Sequence, residues 1–227
     1  MIWAVLPAAG RGTRFGGEVP KQYLEVAGRP LIAHALDALL SHPRVAGAMV
    51  ALSPDDARWP GWNELHGKPV LRCVGGGERA DSVLAALHAL PADVADDTLV
   101  LVHDAARPNL RAGDLDLLIR AATLHADGAI LGAPVRDTLK RSDADARITA
   151  TEPRAALWRA FTPQAFRRGA LTAALEAARD HGIVVTDEAM AMERIGTRPK
   201  LVEGREDNLK VTTPADLALA DYLLRQR

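Results

Sequence analysis

The sequence is poor in cysteine. Its 227 residues include only Cys73, so no disulfide can form within the chain. Cys73 lies in the apolar run Val70 to Val74, where a buried, inert thiol is expected. Neither sign of charge is in excess: charged residues make up 25% of the chain and the formal net charge is −1. That balance leaves no whole-molecule field and argues against nucleic acid as a partner. No apolar run approaches the ~20 residues that a membrane-crossing helix needs. The N-terminus has no basic segment ahead of its short apolar stretch, so no signal peptide is expected and the expected compartment is the cytoplasm. Two phosphate-binding signatures are missing as well. The chain has neither G-x-G-x-x-G after its first strand nor G-x-x-x-x-G-K-[ST], which excludes a dinucleotide-dependent dehydrogenase and a P-loop enzyme.

What is present is enough apolar residue for a full core, 48% of the chain. Short apolar runs at 2–6, 47–52, 70–74, 98–103, 129–133 and 200–203 read as strands. Amphipathic segments at 30–41, 80–90, 113–125, 163–181 and 187–195 read as helices between them. This alternation predicts an α/β fold with a mainly parallel twisted sheet and helices on both faces. Thr162-Pro163 reads as a helix start and Gly182 as its end, while Thr213-Pro214-Ala215-Asp216 opens a last helix with a capping-box variant. Thr186-Asp187-Glu188 places two acids at a helix start, where the dipole favours them. Residues 134–161 break the pattern. Two β-like runs around the polar turn Ser142 to Ala146 predict a protruding β-hairpin arm, which is marginally stable alone and therefore expects a partner subunit. Nothing divides the chain, so 1–227 reads as a single domain.

Four segments carry chemistry. The first strand runs into Pro7-Ala8-Ala9-Gly10 and a glycine-rich loop that bears Arg14 and Lys21. Small residues let backbone N–H groups approach a ligand, and two fixed cations suit a polyphosphate. Lys21 can bridge phosphates as a compact charge, and Arg14 can fork onto their oxygens. Gly75-Gly76-Gly77-Glu78-Arg79-Ala80-Asp81-Ser82 follows the strand at 70–74. Ser82 there sits at a helix start, either capping the helix or hydrogen-bonding a base edge; Arg79 reads as an ion-pair residue. His103-Asp104-Ala105-Ala106-Arg107-Pro108 ends the strand at 98–103. Carboxyl ends of strands line the crevice of an open α/β sheet, so Asp104 is a candidate ligand for Mg²⁺ and Arg107 a candidate for a second anion. His103 reads as structural. Lys210, in Val202 to Thr212, can neutralise phosphate or be an ordinary surface lysine.

Read together, these segments resemble the 2-C-methyl-D-erythritol 4-phosphate cytidylyltransferase family. The resemblance spans the chain in order: PAAGRGTR with PKQY, GGGERADSV, VHDAARP, APVRDTLK, Phe161-Thr162-Pro163-Gln164, TDEA and VEGREDNLKVTTPADLALA. It implies a Rossmann-like nucleotidyltransferase, a homodimer joined through the arm, and Mg²⁺-dependent transfer of CMP from CTP to a polyol phosphate with release of pyrophosphate. It places nucleotide contacts on Ala8, Ala9, Gly10, Gly76 and Ser82, with Arg14 and Lys21 on the phosphates. Acceptor contacts fall on Asp104, Arg107, Thr138 and Lys210, with Arg154 and Thr162 offered by the neighbouring subunit. The pattern departs at Gly77, where an acidic residue is common, and at Glu152-Pro153-Arg154. A ribitol 5-phosphate cytidylyltransferase shares the fold and the loop and is the alternative; a non-catalytic nucleotide sensor is a distant one.

Overall fold

A computed structural model describes residues 1–10 and 19–227. In chain order its elements are β1 (Ile2–Pro7), a 3₁₀ turn (Lys21–Tyr23), β2 (Glu25–Val26), β3 (Arg29–Pro30), α1 (Leu31–Leu40), β4 (Val45–Leu52), β5 (Glu64–Leu65) and β6 (Lys68–Val74). There follow α2 (Arg79–His88), β7 (Leu99–Val102), α3 (Ala112–Leu124), β8 (Ala129–Pro134), β9 (Leu139–Ser142), β10 (Ile148–Glu152) and β11 (Trp158–Arg167). The chain ends with α4 (Arg168–Asp180), α5 (Glu188–Arg194), β12 (Lys200–Glu203) and α6 (Pro214–Arg225).

Eight strands form one sheet in the order β12-β8-β11-β7-β1-β4-β6-β5. The pairs β12/β8, β7/β1, β1/β4 and β4/β6 are parallel, so the mostly parallel sheet is as expected. β1 lies inside it, and its side chains alternate between the two faces. Ile2, Ala4 and Leu6 pack with Leu36, Leu39 and Leu118 of α1 and α3, while Trp3 and Val5 pack with Val83, Leu87 and Leu175 of α2 and α4. Helices therefore cover both faces, and the six runs read as strands are all strands.

The structure corrects two boundaries. The helix expected over 163–181 begins only at Arg168. Residues 158–167 instead form β11, antiparallel to both β7 and β8. Thr162-Pro163 imitates an N-cap and first helical residue, but two open strand edges compete for this segment and bury Phe161, Ala165 and Phe166. The β8 register shifts between Ala160 and Gln164, so Pro163 occupies an irregularity of the ladder, where a missing N–H is tolerated. The arm is also narrower than 134–161. The Val135 N–H donates to the Leu157 carbonyl at 2.9 Å and closes its base. Beyond that pair, β9 and β10 form a separate two-stranded ribbon.

Candidate active site

The carboxyl ends of β7, β1 and β6 open onto one cleft of about 390 Å³. Backbone ladders continue past the strand ends and fix the loops: Ala8 N–H to Ala51 O at 2.8 Å, Gly75 N–H to Leu52 O at 2.8 Å and His103 N–H to Val5 O at 2.9 Å. The lining includes Ala8, Ala9, Gly10, Lys21, Gln22, Gly76, Gly77, Glu78, Arg79, Ser82, Asp104, Lys210 and Thr212. Eight of the expected site residues thus meet in one place. Arg14 lies outside the described residues.

The two glycine-bearing loops touch each other. A Cβ on Gly75 would stand 2.5 Å from Ala9 Cβ, and one on Gly76 would stand 2.2 Å from Asp81 Cβ. Only glycine permits that approach. Ser82 is not at the helix start. Glu78 is the N-cap of α2 and forms a capping box with Asp81. Ser82 lies a turn inside the helix, where its Oγ accepts from Gly76 N–H at 3.1 Å and donates to Glu78 O at 3.1 Å. Its hydroxyl therefore shapes the glycine loop from beneath. Gln22, missed from the sequence, holds the chain at Ala8, just after β1, donating from Nε2 to Ala8 O at 2.7 Å. Its place beside Lys21 in PKQY was the available signal.

Asp104 is the electrostatic centre. It is 6% exposed, yet three cations surround it. Arg79 Nε lies 2.9 Å from Oδ1, while Lys210 Nζ lies 2.9 Å and Arg107 Nε 3.4 Å from Oδ2. Burial alone would raise the carboxyl pKa, but Arg79, Lys210 and Arg107 outweigh it and hold the group well below the usual carboxylate range. Arg107 does not line the cleft. It is buried, donates to Asn208 O at 2.6 Å and stacks over the Phe161 ring, 5.1 Å from its centroid. Burial lowers its pKa, against the opposing pull of Asp104.

Below Asp104 runs a buried hydrogen-bond chain. The Asp104 N–H donates to Thr162 Oγ1 at 3.0 Å, the Thr162 hydroxyl donates to His103 Nδ1 at 3.0 Å, and His103 Nε2–H donates to Arg107 O at 3.0 Å. The bonding assigns a neutral imidazole, and burial pushes its pKa down to about 4. His103 is structural, as read. Thr162 sits buried under Asp104 of its own chain, with its one proton committed to His103. Thr138 and Arg154 lie on the arm and do not line this cleft. Among the described residues, no three His, Cys, Asp or Glu side chains are grouped to hold a metal ion.

Comparisons with known proteins show the family. The family model for 2-C-methyl-D-erythritol 4-phosphate cytidylyltransferase matches residues 2–226. A protein of that name from Stenotrophomonas maltophilia (strain K279a) is 63% identical over 226 residues, spanning 100% of this chain and 97% of the relative. A solved 4-diphosphocytidyl-2C-methyl-D-erythritol synthase is 36% identical with a TM-score of 0.82, covering 98% of each chain. The Francisella tularensis 2-C-methyl-D-erythritol 4-phosphate cytidylyltransferase structure is 30% identical with a TM-score of 0.84, covering 98% of this chain and 99% of that one. A sheet whose strand ends carry the small-residue loops and the ringed Asp104, matched from end to end by these relatives, places the chain in the 2-C-methyl-D-erythritol 4-phosphate cytidylyltransferase family.

Proposed function

We propose that the cleft binds CTP with its base against Ala8, Ala9, Gly10, Gly76 and the turn ordered by Ser82, and its phosphates toward Lys21 and Arg14. The activity of the chain is CTP-dependent cytidylyl transfer to 2-C-methyl-D-erythritol 4-phosphate, a step of isoprenoid precursor synthesis. The observation that carries the site reading is the meeting of Lys21, Lys210 and Asp104 with both glycine-bearing loops in one cleft.

The chemistry asks for positioning and charge neutralisation. An oxygen of the acceptor phosphate forms a bond to the α-phosphorus, the bond from that phosphorus to the bridging oxygen breaks, and pyrophosphate leaves with the electron pair. A phosphate monoester is already anionic near neutral pH, so no strong base is needed. The task is to bring two anions together and stabilise the crowded transition state. Lys21 and Arg14 serve the α-phosphate and leaving group. Lys210 serves the attacking phosphate, with Arg107 and Thr162 acting from below by fixing Asp104. Residues 1–227 work as one domain, since the sheet takes strands from both ends of the chain.

Mg²⁺ is part of the proposal. Asp104 lines the cleft with Oδ2 taken by Lys210 and Arg107 and, among the described residues, Oδ1 by Arg79 alone, so Oδ1 keeps a lone pair for one bond to a cation carried mainly by triphosphate oxygens. Asp104 would be its protein ligand, and the bound ion would spread the negative charge of the phosphates. A homodimer is proposed through the arm, whose strand side chains are nearly all exposed, Ile148 at 67%. Thr138 and Arg154, away from their own cleft, would then serve a neighbouring one. No helix among the described residues is long and apolar enough to cross a membrane. The proposed compartment is the cytoplasm, where CTP is at hand.

A pyrophosphate-release assay tests the assignment. CTP should far outpace ATP and GTP, and 2-C-methyl-D-erythritol 4-phosphate should outpace ribitol 5-phosphate. Equal rates with the three nucleotides would sink the base pocket, and preference for the ribitol ester would sink the acceptor.

A further inference from the structure

Behind the cleft lies a carboxylate that no step of the reaction uses. Glu188, the first residue of α5, is 0% exposed and does not line the cleft. It grips Arg79 with both oxygens: Nη1 to Oε1 at 2.6 Å and Nη2 to Oε2 at 3.1 Å. The Nε of the same guanidinium meets Asp104 Oδ1 at 2.9 Å. Arg79 thus joins two buried carboxylates from different elements, and its charged form is strongly favoured because Glu188 and Asp104 outweigh its burial.

Glu188 is itself held from both sides. Gln164 Nε2 donates to Asp187 Oδ2 at 2.9 Å, and Gln164 Oε1 accepts from Ala189 N–H at 2.8 Å. Gln164 and Thr162 lie on the same strand, β11. One reaches the Asp104 backbone directly, and the other reaches the Asp104 carboxylate through Glu188 and Arg79.

A buried ion pair is weak evidence of stabilisation, because an apolar pair of equal volume often serves as well. The geometry here has a more specific consequence. A guanidinium with a free fork takes a carboxylate through two parallel bonds. With both Nη groups fixed on Glu188, the guanidinium is held in the orientation in which Nε meets Asp104, at Oδ1. Oδ2 stays turned to Lys210. We propose that Glu188 is a positioning residue for the transfer reaction: by holding both Nη groups of Arg79 it orients the guanidinium so that Nε meets Asp104 Oδ1 and Asp104 Oδ2 stays facing Lys210. The proposal rests on the cytidylyl-transfer reading of the cleft.

The test compares the wild-type chain with Glu188→Gln, Glu188→Asp, Arg79→Gln and the double variant Glu188→Gln/Arg79→Gln. Pyrophosphate release from CTP and 2-C-methyl-D-erythritol 4-phosphate gives kcat and KM, and thermal unfolding is followed in parallel. Glu188→Gln should lose about tenfold to a hundredfold in kcat, as misplacement of a reacting group does. Its KM for CTP should move less than about threefold, because Glu188 is outside the cleft. Glu188→Asp, which keeps the charge, should recover most of the rate. The double variant buries no unpaired charge at this pair, so it should regain stability, and its kcat is read against Arg79→Gln because Arg79 lines the cleft. If Glu188→Gln does not fold, the double variant is compared with Arg79→Gln: because Glu188 acts through Arg79, the two should share one kcat, and a further loss in the double variant would overturn the proposal. Wild-type kcat in Glu188→Gln, or in the double variant, would overturn the proposal and leave the pair structural. A wild-type chain that releases no pyrophosphate would overturn the reading of the cleft instead.

Discussion

Lys210 Nζ stands 2.9 Å from Asp104 Oδ2, which brings the loop after β12 onto the end of β7. The lysine side chain is 38% exposed and the carboxylate 7%, so this pair spans the floor and mouth of the cleft. A half-exposed ion pair contributes about 0–1 kcal/mol to stability. Asp104 also keeps Arg79 and Arg107 when Lys210 is gone. Lys210→Met should therefore leave the thermal midpoint within a few degrees of wild type. A donor aimed at transition-state charge is worth about a hundredfold or more in rate, so kcat should fall by that order. Retained turnover in the folded variant would remove Lys210 from the chemistry.

Gly76 is fixed by its neighbours more than by its backbone angles. A methyl group there would meet Asp81 Cβ at 2.2 Å and the Asp81 carbonyl carbon at 3.1 Å. Asp81 cannot withdraw, because its Oδ2 accepts the Glu78 N–H at 3.1 Å in the capping box of α2. Gly76→Ala should cost about 1–3 kcal/mol, the usual penalty for overpacking, and weaken CTP binding measured by calorimetry. A methyl group on Gly77 would meet nothing nearer than Asp81 Oδ2 at 4.0 Å. Gly77→Ala should leave the unfolding midpoint unchanged, and an equal loss from both variants would contradict the steric account.

His103 should make stability depend on pH. Burial holds its folded-state pKa at about 4, against about 6.5 in the unfolded chain. Above pH 6.5 both states are neutral at this residue, and the full stability is present. Between 6.5 and 4 the unfolded state binds the proton first, so stability falls as pH falls. From pH 7.5 to 5.0 this residue alone accounts for roughly 2 kcal/mol. Urea unfolding at the two pH values should show that extra loss in wild type and not in His103→Gln. Equal losses would mean that His103 is not held neutral.

The sheet was legible where strands are apolar runs, because burial on both faces leaves a local mark. Ile2-Trp3-Ala4-Val5-Leu6 fills both layers of the core. β11 was not legible, because Thr162-Pro163 has a local reading as a helix start, and the strand is dictated by the edges of β7 and β8. The site divides the same way. Ala8, Gly76 and Asp104 follow strand ends and were found by that rule. Glu188 was read as an acid serving the dipole of its own helix. In the structure Asp187 does the capping, accepting Met190 N–H at 2.9 Å, and Glu188 turns to a partner 109 residues away. No spacing in the sequence announces a contact of that range.

Arg154 tests the arm. It is exposed and donates to the Arg136 carbonyl at the arm's base, with no part in lining its own cleft. If the arm serves a neighbouring copy, Arg154→Ala damages the partner's site, whereas Lys21→Ala damages the site of its own chain. Each variant alone should be nearly inactive. Mixing equal amounts and allowing subunits to exchange gives a dimer in which one cleft carries both defects and the other carries neither. With random pairing, about a quarter of all sites become intact, and turnover should rise to about a quarter of wild type. The recovery should follow the exchange time and vanish when exchange is blocked by cross-linking before mixing. A mixture no more active than its components would confine Arg154 to its own subunit and remove the arm from the shared site.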